Sequence, residues 1–250
     1  MTKTINDFAA DVSYGICTGG NNIFVVTKEF CVENQLESEL VKNVIFGKDI
    51  LPYRINYDNN NKIIYTTKSV KIENYPRIYS YLQRFEKELS KKRETQKGIL
   101  PYWCLHWARK VDLFQTKKIV MRQTGDSIIA AIDTNNIYAL DSVLMITLKN
   151  EYVISYKFLL AILNSRLAKF FYQEITQEQG RVFAQVKPKN IRKLFVPIVS
   201  EADKKAIESL VQKCLDAKGV GVEEWEAEID DRVAHLYGLT DEEMKIIRGE

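Results

Sequence analysis

The 250-residue chain is poor in the residues that bind metals or form disulfide networks. It contains two histidines and four scattered cysteines, and none of the cysteines forms a Cys-x-x-Cys pair: Cys17, Cys31, Cys104 and Cys214. A structural zinc site needs about four closely arranged nitrogen or sulfur ligands, so this distribution argues against one. We therefore predict reduced thiols and no metal.

Long apolar runs are also missing. No stretch approaches the roughly 20 apolar residues of a membrane span, and the N-terminus lacks the apolar core of a signal peptide. The glycine-containing segment 15–22 lacks the Gly-Lys-Ser/Thr ending of a nucleotide-binding P-loop, which argues against an NTPase. The apolar fraction of 46% and the charged fraction of 28% are ordinary for a globular protein. We expect a soluble, cytoplasmic protein without a membrane partner.

Charge is divided along the chain. Residues 1–200 contain 29 Lys and Arg against 19 Asp and Glu, a formal charge of +10. Residues 201–250 contain 7 against 14, a formal charge of −7. A basic body predicts a polyanionic partner, because lysines and arginines gain affinity by releasing the counterions of phosphates. We predict a DNA-binding domain over residues 1–199 and a helical tail over residues 200–250.

The basic residues of the body form two clusters. Between residues 76 and 122, twelve Lys and Arg face four Asp and Glu, and Tyr102, Trp103 and Trp107 lie among them. Residues 166–193 contain seven more cations. Flexible cations suit phosphate contacts, whereas base reading needs rigidly held arginines or amides. A solvated helix face with core aromatics would give the same pattern at any single residue.

Hydrophobic periodicity predicts a mixed α+β body of the α/β class. Alternating apolar residues predict strands, including a hairpin at about 53–66, and apolar residues three and four apart predict helices. Beyond Ser200, two or three amphipathic helices follow. The other predicted elements are strands at 23–27, 118–122, 128–133 and 141–148 and helices at 76–92 and 156–171.

Several short motifs follow one another in a fixed order over almost the whole chain. They are residues 15–24 (a glycine, then Thr18-Gly19 and Asn21 before an apolar run), Gly47-Lys48-Asp49-Ile50 with Tyr53-Arg54, Tyr75-Pro76 through Leu82 with Leu89 and Lys92-Arg93, Trp103, Lys118-Ile119-Val120, Leu163-Asn164-Ser165, and Ile229-Asp230 with Leu236-Tyr237-Gly238-Leu239-Thr240. This ordered set resembles the TaqI-like C-terminal specificity domain of Type IIG restriction enzymes and N6-adenine DNA methyltransferases.

The resemblance implies a target-recognition domain with a twisted mixed or antiparallel sheet, packed helices and a C-terminal helical tail. In such enzymes this region grips the duplex and reads its site from the major groove, while a separate domain flips and methylates adenine. The chain departs from the family at Asn22 and Ile23, where an acidic and then a small residue are common. That departure leaves the role of the turn open.

The catalytic motif of adenine methylation is absent from this sequence. That chemistry uses an Asn/Asp-Pro-Pro-Tyr/Phe segment to hold the flipped base, and the chain has no Pro-Pro and no glycine-rich strand–turn–helix for S-adenosylmethionine. We expect no catalytic residue and no cofactor in this chain. The resemblance implies S-adenosylmethionine for the parent enzyme, and Mg²⁺ if a nuclease is present. The parent is expected to be a site-specific DNA adenine-N6 methyltransferase with or without endonuclease activity.

The leading hypothesis is a sequence-specific recognition module for double-stranded DNA in a restriction–modification system. Its partners would be duplex DNA and a methyltransferase domain or subunit, and its cations would converge on one concave surface. The alternatives are a protein-interaction scaffold, a stand-alone specificity subunit and an enzyme with unrecognised motifs. The residues predicted to bind DNA are Thr18, Asn21, Lys48, Arg54, Lys92, Arg93, Arg109, Arg122, Arg181 and Lys187.

Overall fold

The computed structural model describes residues 3–125, 127–151, 153–176 and 184–248. Within these ranges the strands are β1 (Lys3–Thr4), β2 (Ala9–Tyr14), β3 (Val25–Thr27), β4 (Val41–Ile45), β5 (Ile50–Leu51), β6 (Arg54–Ile55), β7 (Asn61–Ile64), β8 (Lys118–Arg122), β9 (Ala130–Asp133), β10 (Tyr138–Ala139), β11 (Val143–Leu148) and β12 (Phe195–Val196). The helices are α1 (Ile5–Phe8), α2 (Asn21–Phe24), α3 (Lys28–Glu33), α4 (Pro76–Gln83), α5 (Glu86–Leu89), α6 (Arg93–Gln96), α7 (Asp112–Gln115), α8 (Tyr156–Asn164), α9 (Arg166–Thr176), α10 (Pro188–Ile191), α11 (Glu201–Asp216), α12 (Glu223–Leu236) and α13 (Asp241–Arg248).

An antiparallel sheet with the strand order β2-β11-β8-β9 separates two hydrophobic cores. Side chains alternate across a strand, so β8, β9 and β11 contribute to both cores. In β8, Ile119 and Met121 belong to one core and Val120 belongs to the other. In β11, Leu144 and Met145 divide in the same way. We call this sheet the central sheet.

Helices cover the first face of the central sheet. The α8 helix begins at Ser155, whose hydroxyl accepts a hydrogen bond from the Phe158 backbone N–H at 3.1 Å. Its residues are apolar nearly all round because the sheet lies on one side and α11 on the other. The predicted single helix over 156–171 is divided at Ser165, whose extended backbone ends α8 and whose hydroxyl caps the first turn of α9.

The acidic tail folds into the predicted amphipathic helices α11, α12 and α13. Ser200 caps α11 by accepting the backbone N–H of Asp203 at 3.2 Å. The apolar stripe that includes Ile207, Val211 and Cys214 is buried in the same core as α8. The tail therefore packs on the body through this stripe, while the division of the chain at residue 200 stays a prediction.

A second four-stranded sheet, with the order β10-β4-β7-β3, contributes to the core on the other face. Its β10 and β4 strands are parallel and the remaining pairs are antiparallel. The predicted hairpin at 53–66 is wrong, because β6 pairs with β5 whereas β7 pairs with β3 and β4. Tyr53 has a left-handed backbone (φ 59°) and donates its N–H to the carbonyl of Ala130, which holds this segment against β9. Mixed α and β structure is nevertheless confirmed.

The predicted helix over 76–92 is also interrupted. It forms as α4 and α5, and Lys92 then adopts an extended backbone before α6. The predicted strand at 23–27 is half helical, since α2 ends at Phe24 and only β3 is extended. As a result, both α2 and Lys92 lie next to the turn at residues 18–20.

Candidate nucleic-acid interface

Several chain segments meet at one end of the central sheet. Leu144 of β11 lies opposite Tyr14 of β2, and Val143 lies opposite Arg122 of β8. The C-terminal ends of β2 and β8 and the N-terminal ends of β11 and β9 therefore lie at the same end of the central sheet. We call the segments joined at this end of the sheet the loop end: residues 15–21, 47–48, 104–109, 122–124, 140–142 and 184–187.

Gly15 allows two of these segments to cross closely. Its N–H donates to the carbonyl of Val143 at 2.9 Å, and the next N–H, of Ile16, donates to Ala139 at 2.8 Å. A Cβ atom at Gly15 would lie 2.3 Å from the carbonyl oxygens of Ala139 and Leu140. Only glycine fits this crossing, which joins β2 of the central sheet to β10 of the second sheet.

A tight turn follows the crossing. The buried hydroxyl of Thr18 donates to Oδ1 of Asn21 at 2.5 Å and accepts the Gly20 N–H at 3.0 Å. Gly19 has a φ of 75°, a left-handed conformation that suits glycine. Thr18 therefore shapes the turn, while Asn21 is exposed at the first residue of α2.

Lys92 supports this turn from inside the protein. Its side chain is 8% exposed, and its ammonium group donates to the carbonyl of Tyr102 at 2.7 Å and to that of Cys104. The stem packs beneath Gly19, and burial lowers the pKa of Lys92 to about 8. A direct phosphate contact by Lys92 does not fit this burial. Its neighbour Arg93 has a side chain that is 76% exposed.

The segment 104–109 is fastened beside the turn. Backbone N–H groups of His106 and Trp107 donate to the carbonyls of Thr18 and Cys17 at 3.1 and 2.8 Å. Arg109 donates Nε–H to the carbonyl of Gly15 at 3.0 Å. Arg109 also has a left-handed backbone (φ 62°), which for a non-glycine residue costs about 1–3 kcal/mol and is often found at functional sites.

Arg122 is held in the same manner on the other side of the crossing. Its Nε–H donates to the carbonyl of Ile50 at 2.6 Å. The neighbouring Gln123 donates its backbone N–H to Ser142 at 2.9 Å and accepts the N–H of Val186 at 2.7 Å. Lys187, which follows Val186 and is half-buried, is thereby placed near Arg122.

Two exposed cations lie next to this group. Lys48 follows Gly47, whose N–H donates to the hydroxyl of Ser142 at 3.0 Å. Arg54 is exposed on β6, opposite Leu51 of β5. In the described part of the chain, no carboxylate lies within 4.0 Å of the side-chain nitrogens of Lys48, Arg54, Arg109 or Arg122. Their positive charge is therefore not neutralised by a close ion pair.

Six of the ten residues predicted to bind DNA belong to the loop end: Thr18, Asn21, Lys48, Arg109, Arg122 and Lys187. Arg54 lies on the adjoining two-stranded sheet, and Lys92 and Arg93 lie behind and beside the turn. Arg181 lies outside the described residues. Contact of these residues with DNA, and a concave surface of duplex width, stay predictions.

One member of the first basic cluster is fully buried. The Lys118 ammonium donates to a carboxylate oxygen of Asp133 at 2.5 Å and to the carbonyl of Phe114 at 2.8 Å. The same carboxylate accepts the hydroxyl of Tyr57 and the backbone N–H of Ile137. Burial lowers the pKa of Lys118 and, together with Asp133, raises that of Tyr57. Lys118 therefore stabilises the fold and is not available to a phosphate.

A shallow depression of about 450 Å³ opens beside Arg109. Its lining includes Thr67 and Lys68, which the sequence analysis did not single out because they lie some distance from the basic clusters in the chain. The exposed ring of Trp107 forms part of its wall, with the Arg109 guanidinium 5.8 Å from the ring centroid. The lining residues are Thr67, Lys68, Leu100, Leu105, His106, Trp107, Ala108 and Arg109.

Two features are absent from the described residues. No helix there is both long and apolar enough to cross a bilayer, and no group of three or more His, Cys, Asp or Glu side chains is arranged to hold a metal ion.

Comparison with known proteins gives a family match, matches to solved structures and one negative result. The sequence model of the TaqI-like C-terminal specificity domain matches residues 42–198, which is more than half of the chain. The fold is similar to that of the Type IIL restriction-modification enzyme MmeI in complex with DNA, with a TM-score of 0.67 at 12% sequence identity. That match covers 95% of this chain and 34% of the MmeI chain, so this chain spans about a third of that enzyme's length. No curated protein matches the chain.

Proposed function

The chain belongs to the TaqI-like C-terminal specificity domain family, and on that premise we propose that it is the double-stranded DNA recognition module of a restriction–modification enzyme. The observation that carries the proposal is the loop end. There the fold gathers Lys48, Arg109, Arg122 and Lys187 from four separate parts of the sequence. The similarity of the fold to an enzyme solved in complex with DNA supports it.

The two arginines are suited to reading base edges. Each uses Nε–H to bond a backbone carbonyl, of Gly15 for Arg109 and of Ile50 for Arg122. That bond fixes the orientation of the guanidinium plane and leaves its terminal N–H groups for a ligand. A rigid arginine can donate two parallel hydrogen bonds to O6 and N7 of guanine in the major groove.

The exposed cations are suited to a different task. Lys48 and Arg54 have solvent-accessible side chains without a carboxylate partner among the described residues. Such side chains contact phosphates, which set the register of a protein on the duplex without reading its sequence. We assign these two residues to phosphate contacts, and Arg93 to a contact at the margin of the same surface.

The complete protein is proposed to be larger than this chain. Since the chain spans about a third of MmeI, we propose that it works beside an adenine-N6 DNA methyltransferase domain or subunit in a cytoplasmic Type IIG system. That domain would use S-adenosylmethionine, and Mg²⁺ if it also cleaves DNA. The recognition module would supply specificity and part of the grip on the duplex, and the catalytic residues would lie outside it.

Fluorescence anisotropy with labelled duplex DNA at several salt concentrations tests the proposal. We expect binding whose logarithm falls linearly with the logarithm of salt concentration, with about one unit of slope per neutralised phosphate. A chain that binds no duplex at any salt concentration, or binds it independently of salt, contradicts the proposal. Either of these two results would favour the alternative function, a protein-interaction scaffold.

A further inference from the structure

Trp107 is held rigidly although its side chain is 54% exposed. Its backbone N–H and carbonyl are both bonded to Cys17, at 2.8 and 3.1 Å. The imidazole of His106 lies 4.9 Å from its ring, and the Glu94 carboxylate lies 2.7 Å from Nδ1 of that imidazole. A single exposed apolar side chain is common on protein surfaces and needs no explanation. The hydrogen bonds of the Trp107 backbone, however, position its indole ring before a ligand binds, so the ring offers a preorganised flat surface.

The depression beside Trp107 combines an apolar lining with cations. Leu100, Leu105 and Ala108 contribute apolar surface, and Lys68 and Arg109 contribute positive charge. The carboxylate of Glu94 lies 2.7 Å from the imidazole of His106 and 3.8 Å from the guanidinium of Arg93. The ligand that fits this combination is planar, aromatic and anionic, which is the chemistry of a nucleotide.

We propose that Trp107 is a stacking platform for one unstacked base of the bound DNA, with the adjoining phosphate facing Lys68. The inference deepens the proposed function and depends on it. Bases within a regular duplex are stacked on each other, so the platform takes a base that has left the stack, as at a distorted step or a single-stranded segment. Stacking of this kind is tolerant of sequence, because every base has a flat aromatic face.

Single-stranded oligothymidylate is a direct probe, since its bases are already unstacked. In the full 250-residue chain, we expect Trp107→Ala to weaken binding of a 12-nucleotide oligothymidylate about 5- to 100-fold. Trp107→Phe keeps a ring and is expected to retain most of the affinity. Lys68→Ala is expected to cause a smaller loss and a shallower salt dependence.

Intrinsic fluorescence gives a second readout that does not rely on the Trp107→Ala variant. Oligothymidylate is expected to quench the tryptophan emission of the parent chain and of Trp225→Phe, a control in the tail, but not that of Trp107→Phe. Unchanged oligothymidylate affinity in Trp107→Ala, or quenching that persists in Trp107→Phe, overturns this inference. Both results can occur while duplex binding remains salt-dependent, so the inference can fail without the proposed function. Loss of duplex binding in the parent chain overturns both.

Discussion

The two ends of the central sheet both carry cations, but Arg109 and Arg122 at one end and Lys117 and Lys118 at the other have different kinds of partner. At the loop end, Arg109 and Arg122 bond backbone carbonyls, which have no net charge. At the opposite end, formed by residues 6–9, 117–118, 133 and 148–151, Lys117 pairs with Glu151 at 2.8 Å. Lys118 pairs there with Asp133. Cations from one cluster of the sequence therefore have different roles. The role of each side chain is indicated by its hydrogen-bond or ion-pair partner, because the charge is the same in every case.

The acidic tail follows the pattern of the opposite end. Two of its arginines face carboxylates, Arg232 with Glu228 and Arg248 with Asp231, and Arg166 of the body faces Asp230 of the tail. Among the described residues, no carboxylate lies within 4.0 Å of the side-chain nitrogens of Arg109 and Arg122 at the loop end.

Breaking the buried pair at the opposite end should have the largest effect. Lys118→Ala leaves the Asp133 carboxylate buried without its cation, so the free energy of unfolding should fall by about 3–5 kcal/mol. Lys117→Ala removes the same charge from a pair that is accessible to water, and it should cost less than about 1 kcal/mol. Urea denaturation of both variants checks this, and equal losses would refute the structural role assigned to Lys118.

Displacing the backbone of the loop end without changing its charge is expected to reduce the free energy of unfolding by an intermediate amount. In Gly15→Ala the new Cβ would force apart the crossing at Ala139 and Leu140, at a cost of about 1–3 kcal/mol in unfolding free energy. DNA affinity should fall with it, because Arg109 is bonded to the carbonyl of residue 15. Gly20→Ala is the control: its φ is 172° and the nearest atom is 3.4 Å from the new Cβ, so less than about 1 kcal/mol should be lost.

Lys92 differs from the arginines of the loop end because it is a buried cation that supports the turn from inside the protein. Lys92→Met keeps the apolar stem and removes a buried charge, but it leaves two carbonyls without their donor. These effects oppose each other, so the change near pH 7 should be only about 1 kcal/mol. Duplex affinity should be nearly unchanged, whereas a loss as large as that caused by exposed arginines would assign Lys92 to the DNA contact.

The pH dependence of stability gives Lys92 a second test. Burial lowers the pKa of Lys92 to about 8 from its ordinary value of 10.5. Between those two values the unfolded chain binds a proton that the folded chain does not, so the contribution of Lys92 to stability rises with pH. The unfolding free energy of the parent chain minus that of Lys92→Met should therefore increase between about pH 8 and pH 10.5. A difference that falls over this window would contradict the burial of the ammonium group.

The sequence alone predicts most of the regular elements whose burial follows a simple period. The stripe of Ile207, Leu210 and Val211 identifies α11, and the apolar runs around Val120 and Met145 identify β8 and β11, because period and capping are local properties. The order of short motifs also predicts the specificity-domain family, which the match over residues 42–198 confirms.

Pairing and burial of charge are not local, and there the sequence misleads. The alternation at 53–66 resembles a hairpin, yet Tyr53 turns β6 toward β5. Lys92 and Lys118 read as members of a basic surface, yet carbonyls and a carboxylate from distant or buried positions enclose them. Nothing in the sequence near Lys68 signals that it lies beside Arg109, since the fold alone brings residues 67–68 to the segment 104–109.

A charge-matched pair of double variants tests the central claim most directly. Arg109→Gln with Arg122→Gln removes two positive charges from the loop end, and Lys117→Gln with Lys149→Gln removes two from the opposite end. Duplex binding measured across a salt series should fall at least about tenfold for the first double variant and should change little for the second. Equal losses for the two would show that net charge alone attracts the DNA and would contradict a recognition surface at the loop end.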